Sequence, residues 1–251
     1  MRYQKVEKSL SEATAFLDQI VTRREKLIKE SRDVISLSSK TIVNIHTSNL
    51  KEAQKLNIEA RNQLKNLRKI AGTDLVRYLM TPEQEFVESS VMLSLRAQKD
   101  IPSRASLGVL PASYVLGLLD SIGELKRSVY DSIRQGNLKT AEELFSTMES
   151  LYVLISSFAV YDNVVQGLRR KLDVARILIE DTRATITEEV RRLEFMDSVN
   201  KLAAQLGKPR GSFPERSRMK RSSSEVEPIE EGESIEGKST ETSISGNEPM
   251  P

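Results

Sequence analysis

Four acidic residues stand inside otherwise apolar helical stretches, and their types and spacing suit metal-assisted chemistry. The run Gln84-Glu85-Phe86-Val87-Glu88-Ser89-Ser90-Val91-Met92 puts Glu85 and Glu88 three apart, on one helical face that continues through Met92 and Leu95. The run Tyr114-Val115-Leu116-Gly117-Leu118-Leu119-Asp120-Ser121-Ile122-Gly123-Glu124-Leu125 puts Asp120 and Glu124 four apart in the same manner. Two such helices packed antiparallel would gather four carboxylates. Close carboxylates repel and raise one another's pKa unless a cation neutralises them. A hard divalent ion with oxygen ligands, Mg²⁺ with Mn²⁺ as the alternative, answers that need. Such an ion lowers the pKa of a bound water and stabilises charge on a phosphate oxygen. The competing reading is that each acid pairs with Lys or Arg on a helix surface, since Glu at i and i+3 is common.

Composition narrows the other chemistries. The 251 residues include no Cys, no Trp and one His, His46. Without Cys there is no disulfide scaffold, no Cys-ligated zinc and no cysteine nucleophile. One His excludes paired-His metal motifs, although a His-based dyad stays open. No Gly-rich phosphate loop, His-Glu-x-x-His or G-x-S-x-G elbow occurs. An enzyme of this composition must work mainly with carboxylates, hydroxyls, Lys or Tyr. Lys plus Arg is 38 against 36 Asp plus Glu, so the net charge of +2 implies no strong overall field.

The elements that must hold the acids all read as helix. Leu17, Ile20, Leu27, Ile28, Val34, Ile35, Ile42 and Ile45 recur at helical spacing. No Pro or Gly interrupts residues 1–71, which predicts a very long first helix with a break near Asn49. A second helix follows and stops at Gly72. Thr81-Pro82-Glu83-Gln84 has the form of a capping box with Pro at the first helical position, predicting a helix start or kink there. Residues 100–111 read as a loop, and Gln135-Gly136-Asn137 as the stop of a helix beginning at Ala112. Residues 138–159 and 162–204 supply the rest. The expected class is all-α: a bundle of long antiparallel helices, about five to seven in number.

A composition shift near Gly207 marks a tail. Residues 208–221 carry six basic residues and one acid, and residues 222–251 carry eight Glu and one Lys. Such sequence cannot repay the entropy of ordering, so the domain is expected over 1–207 and a disordered charged tail over 208–251. The N-terminus lacks the apolar core of a signal peptide. The most apolar stretch, Leu151 to Val165, is broken by Ser156, Ser157, Asp162 and Asn163 and falls short of a spanning helix. A cytoplasmic protein with no membrane partner is the expectation.

Three separated groups of residues, in register, resemble the translin family and within it the translin-associated factor X branch. The first is Pro111, Tyr114, Leu116-Gly117, Asp120 and Gly123-Glu124-Leu125, followed by Arg127. The second is Ser31-Arg32-Asp33, Ser39-Lys40-Thr41-Ile42 and His46; the third is Gln84-Glu85-Phe86-Val87-Glu88. The resemblance covers about residues 10–200. It implies a helical bundle that assembles into a closed octameric shell and binds RNA or single-stranded DNA on the inner surface. The factor X branch adds a Mg²⁺-dependent endoribonuclease site. Carried over, that site is Glu85, Glu88 and Asp120 as catalytic metal ligands, with Glu124 as the fourth. Translin subunits proper are catalytically silent and carry a basic, His-containing segment where this chain has Gln84 to Glu88. The connection over 99–111 is shorter than in eukaryotic factor X, which favours a homo-oligomer that both binds and cuts.

With that implied site, Lys126 and Arg127 follow the acids and are candidates to clamp phosphate of single-stranded RNA. Arg32, Lys40, Arg77 and Arg96 are further RNA-contact candidates, each with a surface ion pair as the alternative. His46 reads as a partly buried, satisfied histidine. Tyr78 and Tyr114 suit either base stacking or core packing. Two other function classes compete with the nuclease. One is a noncatalytic binder of single-stranded RNA or DNA, which would retain nucleic acid in EDTA; the other is a helical scaffold, which would show no salt-sensitive retention.

Overall fold

A computed structural model describes residues 3–206. Seven α-helices follow in order: α1 (Gln4–His46), α2 (Leu50–Ala71), α3 (Met80–Arg96), α4 (Arg104–Leu107), α5 (Pro111–Arg134), α6 (Leu138–Ser156) and α7 (Leu168–Gln205). Single turns of 3-10 helix precede α3, at Val76–Leu79, and follow α6, at Ser157–Tyr161. No strand occurs among the described residues. The compact unit ends at Leu202; the expected tail, 208–251, lies outside the described residues.

Helical periodicity explains the packing. On α2 the buried positions are Ala53, Asn57, Ala60, Leu64, Leu67 and Ala71, alternating steps of four and three along one stripe. That stripe meets Leu27, Val34 and Ile45 of α1 and Phe86, Val87 and Val91 of α3 in one core. The α1–α2 connection is only three residues long, so the two helices must fold back antiparallel. The predicted break at Asn49 is present: Ser48 takes φ of 61°, and the Asn49 amide donates back to the Asn44 carbonyl at 2.8 Å. At the other end Gly72, with φ of 57°, closes α2 as its sequence position predicts.

Two local expectations are corrected. The Thr81–Gln84 box caps nothing: α3 begins at Met80, and its N-cap Leu79 has no side-chain bond. Glu83 is instead 1% exposed, accepting from Arg68 Nε at 3.0 Å and from the Leu110 amide at 2.8 Å. Two interhelix partners outcompete a local cap because the carboxylate is buried where they converge. The loop over 100–111 contains one helical turn, α4, capped by Ser103 Oγ accepting from the Ser106 amide.

The direction of α3 against α5 is a third correction. The acid-bearing helices run the same way, not antiparallel. Residues 97–110 carry the chain back along α3, where the Leu110 amide reaches Glu83, and α5 then retraces the direction of α3. Consistently, Gly117 lies against Gln84 and Val87, while the charges of Asp120 and Glu124 both act on Glu88. Helices joined by short turns elsewhere in the bundle remain antiparallel.

Not every apolar residue is covered. Tyr3 and, on α1, Val6, Leu10, Phe16, Leu17 and Val21 are exposed, as are Val153, Leu154, Val160 and Val164 near the end of α6. By length and composition alone Leu138–Tyr161 would suffice to cross a membrane, but α6 buries Ala141, Met148, Leu151 and Ile155 in the bundle.

Candidate functional site

Close approach of α3 and α5 assembles the site. A β-carbon on Gly117 would fall 2.7 Å from both the Gln84 carbonyl oxygen and the Val87 Cβ, so only glycine permits this contact. One turn along each helix stand the acids. Glu85 and Glu88 lie on α3, Asp120 and Glu124 on α5, and all four are half-buried.

Burial raises the pKa of three of them, Glu85, Glu88 and Asp120. Glu88 is pushed up to about 8, first by burial, then by the charges of Asp120, Glu85 and Glu124. Burial also raises Glu85, with Asp120 adding to it. Asp120 is raised by burial, against the pull of Lys171. Glu88 makes no ion pair or hydrogen bond through its carboxyl among the described residues. It is an unpaired carboxyl in a carboxylate cluster.

Two side chains from elsewhere reach in. Lys171, in the first turn of α7, puts its Nζ 2.5 Å from each carboxylate oxygen of Asp120 and 3.3 Å from Gln84 Oε1. His46, in the last turn of α1, puts Nε2 2.7 Å from Glu124 Oε2 and Nδ1 3.5 Å from Asp131 Oδ2. The partly buried, satisfied histidine expected from the sequence is therefore present, at the rim of the acid cluster. As these side chains stand, no three His, Asp or Glu groups among the described residues are arranged to hold an ion. Lys171 holds Asp120 on the α7 side, and His46 holds Glu124 on the α1 side. The donor set still fits a hard divalent cation by type, being four carboxylates with an amide oxygen, Gln84 Oε1, alongside. The unpaired Glu88 is the group such a cation would satisfy.

The basic candidates fall into distinct places. Arg127 is exposed, its Nη1 3.7 Å from Glu124 Oε2, beside the acids. Lys126 turns to α7, 2.5 Å from Asp181 Oδ2, which also accepts from the Tyr130 hydroxyl at 2.7 Å. Arg32 and Lys40 are exposed on α1 and form no ion pair among the described residues. Arg77 lies over the Tyr78 ring, 4.9 Å from its centroid, and donates to the Tyr78 hydroxyl, which also accepts from Arg24 Nε at 2.7 Å. Arg96 donates to Ser48 Oγ at 3.3 Å, tying α3 to the α1–α2 turn. Tyr114 donates to the Pro102 carbonyl at 3.0 Å and serves packing.

Lys171 is the site residue that sequence reasoning missed. It sits in Arg169-Arg170-Lys171, a run that reads as a solvated helix start. Its one sequence signal is position: Leu168 and Leu172 on either side are buried, which turns Lys171 inward at the edge of the core.

Comparison with known proteins bears on the family and the fold. A protein of Methanocaldococcus jannaschii, described only as the uncharacterized protein MJ0175, is 35% identical over 183 residues, covering 71% of this chain and 82% of its own. The structure is similar to that of AfC3PO, with a TM-score of 0.63 at 30% identity over 77% of this chain and all of the other. It is similar too to AfC3PO in a complex with duplex RNA, with a TM-score of 0.62 at 29% identity over 77% of this chain and 99% of the other. Apo-NeC3PO shares the fold, with a TM-score of 0.66 at 23% identity over 72% and 96% of the two chains. Residues 22–181, which include every residue of the acid cluster, match the Translin family, and the chain belongs to it.

Proposed function

We propose that the protein is a Mg²⁺-dependent endoribonuclease that binds RNA inside a homo-oligomeric shell, an octamer. The observation that carries this reading is Glu88: a half-buried carboxyl with no partner among the described residues, raised by the charges of Asp120, Glu85 and Glu124. Glu85, Glu88 and Asp120 would hold the ion and Glu124 completes the set. When bound, Mg²⁺, or Mn²⁺ in its place, supplies a Lewis acid that activates water and stabilises charge on the scissile phosphate. The chain's own residues do the positioning. Gly117 sets the distance between the two acid-bearing helices, His46 orients Glu124, and Arg127 offers an exposed guanidinium to a phosphate next to the acids.

Family membership and the RNA complex of the similar AfC3PO support RNA as the ligand. That complex holds duplex RNA, so duplex and single-stranded RNA both belong in the test, with single-stranded DNA beside them. The uncovered apolar residues of α1 and α6 support self-association, since contiguous exposed apolar surface marks contact sites.

One observation favours a second reading, a noncatalytic RNA binder: among the described residues no three acidic groups stand ready to hold an ion. A cleavage assay separates the two. Labelled single-stranded and duplex RNA are incubated with the full chain in Mg²⁺ or EDTA, beside Glu85→Ala/Asp120→Ala. Internal cleavage that requires Mg²⁺ and is lost in the variant supports the nuclease. RNA retained in EDTA and never cut in Mg²⁺ supports the binder.

A further inference from the structure

We infer that Lys171 is a built-in counter-ion that occupies Asp120 while the site is empty of metal, and that an entering divalent cation must displace it, so that Lys171 sets the site's metal affinity. The inference rests on the metal-site reading above.

The geometry is specific. The Lys171 ammonium contacts both oxygens of Asp120 and the side-chain oxygen of Gln84, the residue next to Glu85. A cation bonded to three oxygens from α3 and α5 is what a small divalent ion would be here. The two cannot share Asp120. A hard ion bonds oxygen at about 2.0–2.1 Å, which would bring it within a few ångströms of the ammonium, at strong like-charge repulsion in a partly buried setting. Among the described residues the ammonium is also the one cation paired with Asp120, because Arg127 lies beside Glu124 and Lys126 is taken by Asp181.

These bonds hold the Asp120 carboxylate toward α7. Lys171 is anchored: Leu168 and Leu172 are buried around it, so α7 delivers the ammonium from a fixed backbone. Its side chain is 33% exposed, leaving a route by which it can swing to solvent once Asp120 is taken. A lysine is suited to this because its flexible stem releases where a bidentate arginine fork would hold.

The test measures ion binding rather than activity. Mn²⁺ affinity of the full chain is determined by calorimetry and by electron paramagnetic resonance for wild type, Lys171→Met and Lys171→Arg, and Tm is followed with and without Mn²⁺. Lys171→Met should bind Mn²⁺ at least about tenfold more tightly, start from a lower Tm in EDTA, and gain more on Mn²⁺ addition. Lys171→Arg should bind no more tightly than wild type. On wild type itself, amine labelling read by mass spectrometry should find Lys171 protected in EDTA and reactive in Mg²⁺, a readout that does not depend on any variant folding. Equal or weaker Mn²⁺ binding by Lys171→Met, or labelling of Lys171 that Mg²⁺ leaves unchanged while the ion binds, would overturn the inference. Failure of all three proteins to bind Mn²⁺ would overturn the metal site itself.

Discussion

Gly117 of α5 lies against Val87 of α3 at a distance no other residue could tolerate, a β-carbon there falling 2.7 Å from the Val87 Cβ. Since Asp120 follows Gly117 by one helical turn and Glu88 follows Val87 directly, this contact sets how closely the acids approach. The neighbours that a methyl group would meet are a backbone carbonyl and a β-branched side chain, neither able to move aside cheaply.

Gly117→Ala should therefore force α3 and α5 apart, at a cost of about 1–3 kcal/mol typical of overpacking. Urea unfolding measures that cost, and Mn²⁺ calorimetry on the same protein should show weaker ion binding. Unchanged stability would mean that the helices are not in contact there.

The acid cluster predicts a particular pH dependence. The Glu88 carboxyl ionises near 8 in the folded protein against an ordinary 4.5, so between those values the folded state binds more protons than the unfolded state. Stability from this group is fully present below about pH 4.5 and is lost as pH rises toward 8. The raised Glu85 and Asp120 act in the same direction. Urea midpoints in EDTA should fall across this range, and Glu88→Gln should flatten the fall. A midpoint that rises with pH from 4.5 to 8 would contradict the burial of this carboxyl.

Glu83 and Arg68 form a different kind of pair, structural and deeply placed. Glu83→Ala leaves the Arg68 guanidinium and the Leu110 amide without their acceptor, and breaking a buried pair costs about 3–5 kcal/mol. The 97–110 connection loses its tie to α3, so limited proteolysis should cut there first. Loss of RNA cleavage in this variant with stability unchanged would show instead that Glu83 belongs to the site.

Lys126 and Arg127 are adjacent in sequence and should behave oppositely. Arg127→Ala should weaken RNA binding and lower its salt dependence by about one counterion. Lys126→Ala should leave RNA binding near wild type and cost at most about 1 kcal/mol of stability, through its partly exposed bond to Asp181. Filter binding across a salt series distinguishes them, and equal losses in the two variants would refute the separation.

The helices and the faces they bury follow from local sequence alone. The three–four stripe of Ala53, Asn57, Ala60, Leu64, Leu67 and Ala71 is local information, as are the stops at Asn49, Gly72 and Gly136, and the structure keeps them all. Local sequence also placed Glu85 with Glu88 and Asp120 with Glu124, because a helix's pitch alone puts residues three and four apart on one face. Only the tertiary structure decided what lies between helices. That α3 and α5 run in the same direction depends on the path of 97–110, and periodicity carries no direction. The choice of Glu83 for Arg68 over a cap, and the pairing of Lys126 with Asp181 and of Lys171 with Asp120, each depend on register across packed helices. A charge finds its partner by distance and burial in three dimensions, and the spacing of residues along one chain records neither.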